Sequence, residues 1–226
     1  MFFDPMYFLF IAPALLLSVV AQMWVKSAYA SAARMPAPLS GAAAARHVLD
    51  SSGLTNVEIE QIPGKLSDHY DPREKVLRLS SDVYASRSLA AVGIAAHEAG
   101  HAIQDAHNYL PLVVRNLAVP AASFGSNFSF VMLIAGMFLG LKPLILVGIG
   151  LFGLVVFFQV VNLPVEFDAS ARAKAELVSL GIVDAQNMTY VNRVLNAAAL
   201  TYVAATLQAI LTLLYYLMRF SGGRDD

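Results

Sequence analysis

The sequence predicts a mainly α-helical membrane protein with four transmembrane helices and a small α+β head outside the bilayer. Of its 226 residues, 58% are hydrophobic and 14% are charged, whereas a soluble domain is usually about half apolar and a quarter charged. Four stretches approach the roughly 20 apolar residues that a helix needs to cross a bilayer. These stretches are residues 5–25, 119–141, 144–163 and 197–218. The more polar segment between the first two has strand and helix patterns, which indicates the head.

The first apolar stretch, residues 5–25, has no charged side chain. A cleaved signal peptide is the alternative, because the Ala-Tyr-Ala at residues 28–30 resembles a cleavage site. Signal peptides begin with positive charge, however, and the charged residue before this stretch is Asp4. We therefore predict an uncleaved transmembrane helix over residues 1–29.

The head is predicted to occupy residues 30–118. Its first helix, residues 40–52, is indicated by Ser40 as a favourable N-cap and by Gly53 as a stop. Two short strands and a second helix follow at residues 56–62, 75–79 and 88–105. The strand over residues 75–79 is expected to hold an extended peptide through main-chain hydrogen bonds.

The second helix of the head carries the sequence H-E-A-G-H from His97 to His101. Residues four apart lie on one face of a helix, so the two imidazoles can point at one metal ion. Glu98 lies about 100° round the helix and can reach a water bound to that metal. Two neutral nitrogen ligands, a bound water and an adjacent carboxylate are the parts of a zinc hydrolase. The pattern therefore predicts His97 and His101 as zinc ligands and Glu98 as the general base.

Two glycines lie on the same helical stripe as the histidines, at Gly93 and Gly100. Glycine costs about 1 kcal/mol inside a helix relative to Ala, so its presence here indicates a need for space. We expect a substrate or a closely packed helix on this face.

The chain after the head contains the other three predicted spans. Residues 119–163 hold the second and third, separated at Lys142. Pro164 is predicted to end the third span and to separate it from extramembrane helices over residues 164–196. Residues 197–226 hold the fourth span and a short polar tail.

Four spans place both termini on one side of the membrane. Lys and Arg near the ends of the spans are more numerous on the side of the head, which favours a head facing the cytoplasm. The two groups are Lys26, Arg34, Arg115, Arg172, Lys174 and Arg193 on the head side, and Lys142, Arg219 and Arg224 on the other. We expect a multi-pass protein of a bacterial plasma membrane. The net charge of −1 gives no reason to expect a nucleic-acid partner.

A catalytic zinc takes three protein ligands and leaves one position open. The chain has no cysteine, so the third ligand must be another His, Asp or Glu. Two predicted spans separate His101 from Glu166, which therefore returns to the same side of the membrane. Asp105 lies about 6 Å beyond His101 along its helix, too far to reach a metal between the two histidines. Glu176 lies about 15 Å beyond Glu166 along the same helix, so it too is an unsuitable ligand. Glu166 is the predicted ligand, and Asp168 is the competing acid.

On these residues the chain resembles the gluzincin metallopeptidases, in which a Glu on a later helix joins the H-E-x-x-H pair. HtpX-type and CAAX-prenyl-type membrane proteases share this pattern, with two spans between the motif and the Glu. The chain is more similar still to the neutral zinc metallopeptidases of the YugP type, over most of its length. The similar stretches are SDHYDPR, LRLSSDVYASRSLAAVGIAAHEAGHAIQ, PVEFDASARA and NAAALTYVAATL.

The resemblance implies a zincin-like head and one zinc ion per chain. It implies that His97, His101 and Glu166 bind this zinc and that Glu98 is the general base. The implied activity is that of a membrane zinc metalloendopeptidase acting on a peptide or a membrane protein.

One position departs from the HtpX-type pattern, where an Asp follows the ligand Glu by four residues. Here that residue is Ser170, and the nearby acid is Asp168, two residues from Glu166 on the opposite helical face. Asp168 could support the metal ligands from behind. Arg172 could pair with Asp168 or with a substrate carboxylate.

His69 and Tyr70 are the remaining candidates, in the polar stretch between the two predicted strands. Either side chain could hydrogen-bond the oxyanion of a tetrahedral intermediate. The alternative is a turn in which Asp side chains bond the local backbone.

Two other functions fit parts of the sequence. Asn162-Leu163-Pro164 loosely resembles the second motif of site-2-type intramembrane zinc proteases, but the apolar run before His97 is too short to span a bilayer. A zinc-binding membrane scaffold without catalysis would have a closed site in place of an open coordination position.

Overall fold

The computed structural model describes residues 4–221 of the chain. Its helices and strands follow in the order α1 (Pro5–Ala32), α2 (Gly41–Ser51), β1 (Glu58–Ile62), β2 (His69–Asp71), β3 (Val76–Ser80), α3 (Ser81–Tyr84), α4 (Leu89–Ala106), α5 (Leu110–Leu139), α6 (Lys142–Ser179) and α7 (Met188–Ser221). Four of them, α1, α5, α6 and α7, are long and apolar enough to cross a membrane. The predicted fold class of four transmembrane helices with a small sheet is therefore confirmed. Most of the predicted polar tail, with Arg224, lies outside the described residues.

Three of the long helices continue through prolines, and α1 does so at Pro13. α5 contains Pro120 and α6 contains Pro164, so the predicted break between two helices at Pro164 is wrong. Proline is tolerated inside transmembrane helices because neighbouring groups satisfy the backbone carbonyl that it frees. The 38 residues of α6 span about 57 Å, roughly twice the hydrocarbon thickness of a bilayer. One helix can therefore cross the membrane and carry Glu166 beyond it.

The chain divides into two compact units. The membrane unit comprises the chain up to Val20, Val114–Leu163 and the chain from Thr201. It exposes large apolar side chains such as Leu9 and Phe130, as expected of a surface that faces lipid. A side chain at Gly148 would put its Cβ 2.9 Å from the Leu133 backbone nitrogen, so α5 and α6 pack closely through a small residue, as membrane helices commonly do.

The head unit comprises Ala21–Val113 and Pro164–Leu200. Its core holds Leu49 of α2, Leu77 of β3 and Val92 of α4, all with no exposed surface. The α2 helix begins as predicted, because the Ser40 side chain accepts a hydrogen bond from the Ala43 N–H. Because these three side chains belong to one buried cluster, α2, β3 and α4 share a single core.

The sheet of the head has the order β1-β3-β2, with β1 parallel and β2 antiparallel to β3. The prediction missed β2, because the strand is three residues long and lies in a polar stretch. Since β3 is the central strand, both of its edges are already paired. The prediction that residues 75–79 hold an extended peptide is therefore wrong.

Candidate metal site

The α4 helix presents the H-E-x-x-H residues at a close contact with two other helices of the head unit. Its N-cap is Ser88, whose side chain accepts from the Ala91 N–H. A Cβ at Gly100 would lie 2.6 Å from the carbonyl oxygen of Ala169 in α6, and one at Gly93 would lie 3.0 Å from Val191 in α7. The space that the glycines provide is therefore filled by helices, the second of the two expected alternatives.

The α6 helix brings Glu166 to the two histidines. One carboxylate oxygen of Glu166, Oε2, lies 3.3 Å from Nε2 of His97 and 3.8 Å from Nε2 of His101. One ligand atom from each of the three residues lies within 4.8 Å of the others. Ligand atoms at about 2.0–2.1 Å from a tetrahedral zinc lie about 3.3 Å apart, so the donor set and spacing fit zinc. The three side chains are 5–15% exposed.

A buried glutamine fixes the ring of His101. Gln104 has no exposed surface, and its Nε2 donates to the Val165 carbonyl and to the Asp168 carboxylate, both at 2.8 Å. Because those two oxygens only accept, Nε2 is the amide nitrogen and Oε1 is left to accept from Nδ1 of His101, at 3.0 Å. The proton of His101 is then on Nδ1, and Nε2 turns its lone pair towards Glu166 and the metal position.

A serine holds the other histidine. Ser170 Oγ lies 3.1 Å from Nδ1 of His97, and the side chain is buried. Ser170 therefore occupies the position of the HtpX-type Asp and contacts the first histidine. Asp168 lies on the helical face opposite Glu166, two residues away. It nevertheless reaches the second histidine, His101, through the side chain of Gln104.

Arg172 pairs with Asp168, with Nε 2.6 Å from the carboxylate. The same guanidinium lies 5.7 Å from the ring centre of Tyr109 and 3.3 Å from Nδ1 of His107. The predicted pairing of Arg172 with Asp168 is thus present. This pair completes a chain of contacts from His101 through Gln104 and Asp168 to the surface.

The roles of Gln104 and Ser170 are absent from the prediction, although their spacing carries a signal. Gln104 follows His101 by three residues and Ser170 follows Glu166 by four, so each shares a helical face with a predicted ligand. Their partners lie on another helix, which spacing along one helix does not reveal.

Glu98 is a partly buried carboxyl group beside the two histidines. Burial raises its pKa to about 7; the charge of His97 opposes this shift, and the charges of Glu166 and Asp68 add to it. A carboxyl group with a pKa near 7 can accept and release a proton near neutral pH. This is the property required of the predicted general base.

The two candidates in β2 lie in different surroundings. The Tyr70 hydroxyl donates to Asp105 at 2.8 Å, and Asp105 also pairs with Lys75 at 2.5 Å. Burial and the hydrogen bond to Asp105 raise the pKa of Tyr70. His69 is exposed and its Nδ1 lies 2.8 Å from the Ser67 carbonyl oxygen, while its charge lowers the pKa of Glu98. Of the two, His69 is the one that acts electrostatically on Glu98.

The sequence also matches known proteins. Residues 7–221 match a family model described as "Putative neutral zinc metallopeptidase". The chain is 45% identical over 224 residues to "Putative membrane protease YugP" of Bacillus subtilis (strain 168), a match that covers 98% of this chain and all of that protein. No solved structure matches the chain. The near-complete coverage and the predicted motif agree, and the chain belongs to this family of zinc metallopeptidases.

Proposed function

We propose that the protein is a membrane-embedded zinc metalloendopeptidase that hydrolyses peptide bonds. The observation that carries the proposal is the convergence of His97, His101 and Glu166 within 4.8 Å, beside a Glu98 carboxyl whose pKa is raised to about 7. These three residues would hold one zinc ion per chain. When bound, such an ion polarises the substrate carbonyl and acidifies water.

The residues of the chain would divide the remaining work. Glu98 takes a proton from the attacking water on a carboxylate oxygen and passes it to the nitrogen of the leaving amine. Gln104 and Ser170 hold the imidazoles so that both Nε2 atoms face the metal position. The Tyr70 hydroxyl already donates to Asp105, and His69 would have to reach an oxyanion through Nε2, because its Nδ1 faces the Ser67 carbonyl oxygen.

Removal and return of zinc test the proposal. Purified protein should contain about one zinc per chain and cleave an unfolded protein substrate. A chelator should abolish cleavage, and added zinc should restore it. Zinc at this stoichiometry without cleavage of any substrate in a peptide library would instead support the scaffold alternative.

The site-2-type alternative is less well supported. Such an enzyme carries its H-E-x-x-H motif on a helix inside the membrane, whereas α4 has 18 residues. Among residues 4–221, the helices that meet the length and apolarity of a span are α1, α5, α6 and α7. A substrate peptide bond outside the bilayer is therefore the better fit.

The head is proposed to face the cytoplasm of a bacterial cell, on the bias of Lys and Arg near the spans. Reporter fusions at Ser52 and Gly222 should then lie on opposite sides of the membrane, with Ser52 inside. Both reporters on one side would contradict the four-span topology. A swapped pair would contradict the orientation only.

Gln104 is predicted to raise zinc affinity by orienting His101. Gln104→Leu removes the acceptor for His101 Nδ1, so zinc should bind about 10- to 100-fold more weakly, as is typical for partners behind a metal ligand. The measurement is a zinc titration against a competing chelator, with the exposed Gln186→Leu as the matched control.

An exchange of groups separates orientation from packing. Gln104→Glu places two carboxylates together and should weaken zinc binding. The added Asp168→Asn change restores one carboxylate and one amide, with an acceptor still beside His101, and should recover part of the affinity. No recovery would mean that packing, or the lost donation to the Val165 carbonyl, outweighs the acceptor beside His101.

A further inference from the structure

A cavity of about 710 Å³ lies within the membrane unit. Its wall is formed where α1 begins, where α5 is followed by α6, and where α7 ends. None of its lining residues belongs to the group of His97, His101 and Glu166. The volume lies in the range of small-molecule sites, about 300–1,000 Å³.

Two cations of the described part of the chain line the cavity, Lys142 and Arg219. Neither forms an ion pair with a carboxylate among residues 4–221, although Arg219 is near enough for its charge to act on Asp4. Lys142 is also the first residue of α6, and a cation is unfavourable at a helix N-terminus. Both cations would be stabilised by an added anion.

Asp4 lines the same cavity, but its carboxylate is already engaged. Oδ1 accepts from the Met6 N–H at 2.9 Å, and Oδ2 accepts from the Tyr215 hydroxyl. It therefore offers little to a second cation such as a primary ammonium group. Among residues 4–221, the cavity wall has two positive charges against one hydrogen-bonded carboxylate, a balance that favours an anion.

The rest of the wall suits a hydrocarbon chain next to that anion. Ile134, Met137 and Ile145 supply aliphatic surface, and Phe130 adds an aromatic ring. Tyr7 and Tyr216 stack with their ring centres 6.2 Å apart. Tyr rings are typical of the level of lipid headgroups. The ligand thus has an anionic end and an apolar end.

We propose that this cavity binds a phospholipid with an anionic headgroup. The phosphate lies against Lys142 and Arg219, and an acyl chain follows Ile134, Met137 and Ile145. Basic pockets between membrane helices bind anionic headgroups by the same chemistry. A soluble phosphate ion would use the cations and leave the apolar wall without a partner.

The test uses the purified full-length chain in a neutral detergent. Phosphatidylglycerol, phosphatidylethanolamine and phosphatidylcholine with identical acyl chains are added separately, and a fourth sample receives inorganic phosphate. Retained lipid is measured by native mass spectrometry, and the thermal unfolding midpoint is measured for each sample. Phosphatidylglycerol should be retained in preference to the two zwitterionic lipids and should raise the midpoint, while inorganic phosphate should not.

Charge removal locates the site. Lys142→Gln with Arg219→Gln should weaken phosphatidylglycerol binding about tenfold or more. Lys26→Gln with Arg193→Gln removes the same charge from exposed residues that do not line the cavity and should leave binding unchanged. The zinc content of each double variant shows whether the head is still folded. If a double variant does not fold, its two single substitutions are tested in its place.

Four results would overturn the proposal. Equal retention of all three lipids would show ordinary solvation by the bilayer, and preference for phosphatidylethanolamine would show that Asp4 sets the choice. Equal stabilisation by inorganic phosphate would show an ion site without a lipid. Equal loss in the Lys26 and Arg193 control would show a diffuse charge effect.

Discussion

Glu98→Gln is expected to abolish peptide hydrolysis while zinc stays bound. The amide cannot take the proton from the attacking water, and general acid–base groups contribute about 100- to 10,000-fold to a rate. Glu98 is not one of the three residues that converge on the metal position, so its loss leaves the donor set intact. The measurements are the cleavage rate and the zinc content of the same preparation.

Glu58→Gln is the matched control, since it makes the same change at an exposed residue of β1. It should keep both cleavage and zinc. A Glu98→Gln protein that folds but lacks zinc would show that Glu98 is a ligand. One that cleaves at the normal rate would move the base to another residue.

The local parts of the site were predictable from sequence because helical spacing fixes them. His97 and His101 lie four residues apart, and that spacing alone places both imidazoles on one face. Glu166 was predicted from chain order, because two spans return it to the side of His101. The first inference needs only the period of a helix, and the second needs only the length of helix that crosses a bilayer. Both quantities are the same for any sequence.

The parts that sequence did not reveal depend on contacts between distant residues. Gln104 meets Asp168, 64 residues away, and Ser170 meets His97, 73 residues away. The β2 strand is three residues long, so its pairing with β3 depends on the position of β3 more than on its own pattern. Proline lacks the N–H of the i→i−4 hydrogen bond and so predicts a helix end at Pro164, whereas α6 continues through it.

Substitutions at Glu166 and at Asp168 are expected to affect zinc binding differently, and this difference tests the proposed ligand set. Glu166→Gln should weaken zinc binding far more than Asp168→Asn does. The first change replaces the charged oxygen that lies 3.3 Å and 3.8 Å from the two Nε2 atoms with a neutral group. The second changes a residue that reaches His101 only through Gln104, where losses are typically 10- to 100-fold.

The two variants are compared by zinc titration against a chelator of known affinity, with cleavage measured at saturating zinc. Asp168→Asn should recover cleavage when zinc is raised, because Glu98 and the three ligands remain. Glu166→Gln should not recover it, because two histidines alone leave the ion with too few protein ligands for a catalytic site. If Asp168→Asn loses zinc and Glu166→Gln keeps it, the two acids exchange roles. Gln104 would then hydrogen-bond directly to a metal ligand, Asp168. The 3.3 Å approach of Glu166 to His97 would instead be an ion pair in the core of the head.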